Sequence, residues 1–153
     1  MERTVDQHLE FLAGVQPLPL ESELSSEQID RFEEARVFFE GNRDDRCVPL
    51  LFGAVNADSG FGVYQLVEDV LQNQTRSVVL SEIELALKNG KEHHLAWVLE
   101  WAMNFEAFEF EELVRGFVNH PSVDISTNAK SFLNSKYEAI GQELPYPDLF
   151  DDE

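Results

Sequence analysis

The chain repeats itself at a spacing of 31 residues, and that period limits its fold more than any other feature. Leu66, Val67, Val70 and Leu71 recur 31 positions later as Trp97, Val98, Trp101 and Ala102, and again as Asn128, Ala129, Phe132 and Leu133. Ala35 and Phe39 precede Leu66 and Val70 by the same interval. A second register alternates with the first. Cys47, Leu51 and Val55 align with Val79, Ile83 and Leu87 at 32, then with Phe110, Val114 and Val118 at 31. Within each group the apolar residues sit at helical spacing, on one face. Two helical stripes per period describe a two-helix unit that buries its apolar face only by stacking on its neighbours. A non-repetitive helical bundle is the alternative, and polar Asn128 in an apolar register is what favours it.

Punctuation along the chain agrees with the period. Thr4-x-x-Gln7 and Ser25-x-x-Gln28 are capping-box signals. The first opens a short helix with Val5, Leu9 and Leu12 on one face; the second opens a helix carrying Ile29, Phe32, Ala35 and Phe39 and ending at Gly41. Further helices are expected at 46–55, 61–73, 77–89, 92–104, 108–119 and 122–135, separated by Asn56–Gly60, Asn89-Gly90 and His120-Pro121-Ser122. No stretch shows strand alternation, so the fold class is all-α. The chain is expected to form a single domain over 1–153, with 1–40 as an N-terminal helical cap, 46–135 as the repeats and 136–153 as a C-terminal extension. Prolines 145 and 147 exclude a regular helix at the end. That end is either a disordered tail or a segment docking through Tyr146, Leu149 and Phe150.

Charge excludes whole classes of function. The chain holds 30 Asp and Glu against 11 Lys and Arg, a net charge of −19. The excess is spread out: thirteen acids and five bases over 1–60, ten and four over 61–120, seven and two over 121–153. Such a surface repels phosphate backbones and forfeits the counterion release that drives nucleic-acid binding. It speeds encounter with a basic protein, or simply aids solubility. Cys47 is the single cysteine, which suits a reducing compartment. Met1–Thr4 begins no signal peptide and no apolar run approaches membrane-spanning length. A cytoplasmic protein, with no membrane partner, is the expectation; Asn73-Gln74-Thr75 is then an inert sequon.

The segment Leu113-Val114-x-x-Phe117-Val118-Asn119-His120-Pro121-Ser122-Val123, followed by Ala129-x-x-Phe132-Leu133, resembles a HEAT repeat. In that pattern an apolar first helix leads through an x-Pro turn to a second helix. His120 stands where the usual Asp precedes Pro, and the usual Val-Arg of the second helix is absent. The resemblance covers 46–135. It implies a HEAT-like alpha-solenoid, a right-handed stack of antiparallel helix pairs with about three to four repeats. Size, acidity and single-domain form also resemble the small HEAT-like immunity proteins of bacterial polymorphic toxin and contact-dependent growth inhibition systems. That likeness implies an immunity protein that binds and neutralises a cognate toxin domain, a basic nuclease for example, by occlusion.

By the same analogy the second helix of each pair lines a concave side. Equivalent outward positions are then Glu34, Gln65, Ala96 and Thr127, with Phe38, Asp69, Glu100 and Ser131 in the next row. Val37, Glu68, Leu99 and Lys130 flank them, and Met103 lies one turn beyond Leu99. Glu34, Phe38, Gln65, Glu68, Asp69, Glu100 and Met103 are therefore the expected partner-binding residues, carboxylates steering a basic surface and apolar groups anchoring it. A solvated helix face would look the same.

No catalytic, cofactor or metal site is expected. His93 and His94 are adjacent, so their side chains point about 100° apart rather than onto one ion, and HExxH is absent. Trp97 and Trp101 lie in the core register. Gly60-Phe61-Gly62 lacks a preceding strand and Walker spacing, and reads as the turn into helix 61–73. Cys47 reads as a buried small apolar residue. Glu109, Glu111 and Glu112 sit at a helix start, where they complement the macrodipole. Two further functions are compatible with a HEAT-like fold: an adaptor or scaffold binding a basic peptide or protein, and a DNA-repair glycosylase, which needs a concave surface of the opposite sign.

Overall fold

The computed structural model describes residues 2–149. All regular structure in them is helical: α1 Val5–Ala13, α2 Ser26–Gly41, α3 Cys47–Ala54, α4 Val67–Gln72, α5 Arg76–Asn89, α6 Glu92–Asn104, α7 Glu111–Arg115 and α8 Val123–Ala139. Short 3-10 turns at Tyr64–Leu66 and Phe108–Phe110 lead into α4 and α7. Both capping boxes form. The Thr4 hydroxyl accepts from Gln7 N at 3.2 Å while Gln7 Oε1 accepts from Thr4 N at 2.8 Å. Ser25 and Gln28 do the same at 3.1 and 3.0 Å. Each box satisfies donors that a helix start otherwise leaves bare.

The chain packs as two compact units that divide between Glu82 and Ile83. In the first unit α1 packs on α2 and α3, and α2 packs on α4. In the second, α6 and α7 both pack on α8. The 31-residue register lands in the core. Val67, Val70 and Leu71, then Val98, Trp101 and Ala102, then Ala129, Phe132 and Leu133 are all buried, as are Ala35 and Phe39. The leading position of each group (Leu66, Trp97, Asn128) is half-buried in every case, so it marks the edge of the stripe. Asn128 fits that edge because its Nδ2 donates to the Ala96 carbonyl at 2.8 Å, giving the amide a partner where the other groups place apolar atoms. In the alternate register Cys47, Leu51, Val55, Val79, Ile83, Leu87 and Val114 are buried, while Phe110 and Val118 are half-buried.

Polar side chains tie residues about one period apart. Gln74 is buried; its Nε2 donates to the carbonyls of Phe39 and Val70, both at 3.1 Å, and its Oε1 accepts from Asp44 N at 2.9 Å. Asp45 accepts from Thr75 N at 2.9 Å and from the Thr75 hydroxyl at 2.6 Å, capping the start of α5. Asn73 Nδ2 donates to the Glu40 carbonyl at 2.7 Å. The Asn73-Gln74-Thr75 triplet is thus a set of structural ties.

Three helices differ from expectation, and one of them is α8, which runs to Ala139 rather than ending at 135. The one predicted from residue 61 starts as a 3-10 turn at Tyr64, because Gly60, Phe61 and Gly62 all have positive φ (+59, +55 and +89°) and cannot enter a right-handed helix. The one predicted over 108–119 is α-helical only over Glu111–Arg115. At the His120-Pro121 corner, His120 Nδ1 accepts from Ser122 N at 3.0 Å, the service an aspartate carboxylate would give there. Beyond α8, Tyr146 is clamped to Asn134 by two 2.9 Å bonds, N–H to Oδ1 and Nδ2–H to carbonyl. The described part of the C-terminal segment therefore docks on α8; Phe150 lies outside the described residues.

Candidate functional site

The seven expected partner-binding residues fall in both units. In the first, Glu34 is exposed on α2, and the Arg3 guanidinium bonded to it holds its carboxyl below the usual carboxylate range. Phe38 is half-covered. Its ring lies 4.5 Å from that of His8 on α1 and 5.1 Å from Phe39, so α1 takes up part of the surface the repeat analogy leaves open. His8 is itself buried, and desolvation, then the charge of Arg31, lowers its pKa. Its Nδ1 meets Arg31 Nη1 at 3.0 Å, which requires an unprotonated acceptor nitrogen. Gln65 is exposed on the 3-10 turn beside Gly62. Half-buried Glu68 and exposed Asp69 stand in the first turn of α4, where their charges also suit the helix dipole.

In the second unit Glu100 and Met103 come together. With Asn128 and Ser131 they line a hollow of about 180 Å³ between α6 and α8. Leu99, expected to flank this row, is instead 0% exposed. α6 buries Leu95, Val98, Leu99 and Ala102, a wider arc than one stripe, and Leu99 falls inside it. Lys130 lies 5.6 Å from the Tyr146 ring, so part of its row faces the docked C-terminal segment.

The electrostatics have one direction. Arg3 pairs with Glu34, Arg36 with Glu33 and Glu40, Arg46 with Asp44, Lys88 with Glu84, and Arg115 and Lys136 with Glu111. Arg36 is buried between its two partners, whose hydrogen bonds raise its pKa. Much of the scarce positive charge is therefore neutralised within the fold, and the carboxylate excess is left to the surface.

The groups considered for chemistry have structural surroundings. Glu111, between Lys136 and Arg115, is held below its ordinary pKa by those hydrogen bonds, which makes it a poor proton donor near neutrality. Burial pushes the Cys47 thiol up to about 12, so it is protonated and unreactive at neutral pH. Among the described residues no three His, Cys, Asp or Glu side chains gather to hold a metal ion. No helix there is long and apolar enough to cross a membrane.

Sequence reasoning passed over two features of the first unit. A hollow of about 870 Å³ opens beside α2, lined by Phe11, Asp30, Arg31 and Glu34, with the Arg31 guanidinium 4.6 Å from the Phe11 ring. Glu21 and Asn56 clasp two loops together. Asn56 Nδ2 donates to the Leu18 and Pro19 carbonyls at 2.8 and 3.1 Å, and Asp58 accepts from Glu21 N at 2.8 Å. Neither was legible, because the first brings Phe11 of α1 beside α2 and the second joins residues 37 or more positions apart, and no local pattern marks either. Comparison with known proteins finds no matching family model, no matching curated protein and no matching solved structure.

Proposed function

We propose that the protein is a cytoplasmic, immunity-type inhibitor that binds a basic protein, a nuclease domain of a toxin being the fitting class, and neutralises it by occlusion. The observation that carries this reading is the charge balance. A chain of net −19 has Arg3, Arg36, Arg46, Lys88, Arg115 and Lys136 tied to its own carboxylates, leaving a surface suited to a partner of opposite sign. Such a surface accelerates association and discriminates against other acidic proteins. Occlusion requires neither cofactor nor catalytic residue.

The scaffold we propose for it is a HEAT-like stack of antiparallel helix pairs. Supporting this are the packing of alternate helices within each unit, α1 on α3, α2 on α4 and α6 on α8. Hydrogen bonds that join residues 30 to 35 apart, such as Asp45–Thr75, Asn128–Ala96 and Gln74–Phe39, point the same way. In this scheme Glu34, Gln65, Glu68, Asp69 and Glu100 steer the partner, and Met103 and the open edge of Phe38 contact it.

The test is to isolate the protein that the full-length chain retains from its native cells and assay that protein's activity with and without the chain. A basic enzyme silenced at equimolar ratio is the expected result. Retention of a basic protein whose activity is untouched would point to an adaptor; retention of an acidic one would overturn the reading.

A further inference from the structure

Phe61 occupies a backbone conformation that its side chain does not favour, and nothing in the core rewards it. Gly60, Phe61 and Gly62 run through three consecutive positive φ values, +59, +55 and +89°. That region disfavours any residue with a β-carbon, so an aromatic one persists there only where its surroundings enforce it. The enforcement is visible. Glu21 Oε1 accepts from the Ser59 hydroxyl at 2.7 Å, from Phe61 N at 3.1 Å and from Ser59 N at 3.3 Å. These bonds hold the Glu21 carboxyl below its usual range. Asp58 and Asn56 fasten the same two loops through further hydrogen bonds.

The result of this clasp is an aromatic ring held out in water. Phe61 is 57% exposed, and Leu20, in the loop clasped against it, is 54% exposed. Residues 17–24 and 56–63 together carry three carboxylates, Glu21, Glu23 and Asp58, and no base. Exposed apolar groups on a fixed loop, bordered by one sign of charge, are the makings of an interface anchor with a charged rim.

We infer that this loop pair is a docking face: Phe61, with Leu20, enters an apolar pocket on a basic protein while Glu21, Glu23 and Asp58 meet the lysines and arginines around it. The occupant follows from charge. A second copy of this chain, a nucleic acid or an anionic membrane would be repelled by the same carboxylates. The inference rests on the proposed binding of a basic protein and names a surface for it outside the seven residues expected from the repeat register.

A nitrogen-15 labelled full-length chain is titrated at low salt with a peptide of alternating leucine and lysine, and in parallel with one of leucine and glutamate. The expected result is saturable amide shifts at 18–24 and 56–65 with the lysine peptide alone. Phe61→Gly is expected to weaken binding by about tenfold while Tm stays level or rises, because glycine accepts positive φ. Phe61→Trp keeps the binding. Shifts spread over the whole surface, no binding, or Phe61→Gly binding as well as wild type would each overturn the inference. If the protein retained from native cells is basic and binds Phe61→Gly unchanged, this face is wrong and the broader function stands.

Discussion

Replacing Gln74 with leucine removes the side chain that ties the end of α2 to the end of α4. Gln74 is 6% exposed and makes three hydrogen bonds, to the carbonyls of Phe39 and Val70 and from the amide of Asp44. The Val70 carbonyl keeps a second donor, Asn73 N at 3.0 Å, so two groups rather than three lose a partner. Each deserted buried polar group costs about 1–3 kcal/mol, and the half-buried Asp44 amide belongs at the lower end because water can reach it. The sum is about 2–4 kcal/mol, a large share of the roughly 5–15 kcal/mol that holds a domain folded. Urea unfolding followed by circular dichroism measures it. With a slope of about 2 kcal/mol per M the midpoint falls by about 1–2 M. Gln72→Leu, at an exposed position two residues earlier at the end of α4, serves as control and leaves the midpoint in place. A fall below about 0.3 M for Gln74→Leu would show that these ties are not what fastens one period to the next.

Three further outcomes are expected. Gly60→Ala puts a methyl group 2.4 Å from the Tyr64 ring at a φ of +59°, and urea unfolding should register a loss of about 1–3 kcal/mol; an unchanged midpoint would mean the loop has another conformation. His120→Ala removes the acceptor for Ser122 N and should cost about 0.5–2 kcal/mol, whereas His120→Asp restores the acceptor and most of the stability in thermal melts. Glu111→Gln loses the ion triad with Lys136 and Arg115. A carboxylate whose folded pKa lies below its unfolded one stabilises fully above the unfolded value and stops doing so as pH falls through the folded value. The Tm gap between wild type and Glu111→Gln should therefore be open at pH 7 and close as pH drops below the ordinary 4.5; a gap that widens in acid would refute the assignment.

What the sequence displayed well was the inward face. Val67, Val98 and Ala129 share one place in the register and one environment, and so do Val70, Trp101 and Phe132. Apolar periodicity records burial directly, so this could be read without coordinates. The outward face was less legible. Leu99 looked equivalent to Val37 and Glu68, yet α6 is buried over a wide arc and Leu99 lies within it. Phe38 looked open, but the N-terminal α1 lays His8 against its ring. Buried amides such as Gln74 and Asn56 read as loop residues, because the carbonyls they serve lie 35 and 38 positions away. Gly60-Phe61-Gly62 reads as a turn from the sequence alone. Its strain and exposure depend on Glu21, 40 residues earlier, and no local pattern announces that.

The claim that matters most is that carboxylates on this surface steer a basic protein into place. It is tested most directly by stopped-flow association of the full-length chain with the protein it retains from native cells, over a salt series. The association rate should fall at least about tenfold between 20 and 500 mM salt while dissociation changes little, since steering acts on encounter. Charge reversal of Asp69 and Glu100 together should slow association at low salt and flatten that dependence. An association rate indifferent to salt, and to both reversals, would contradict the account.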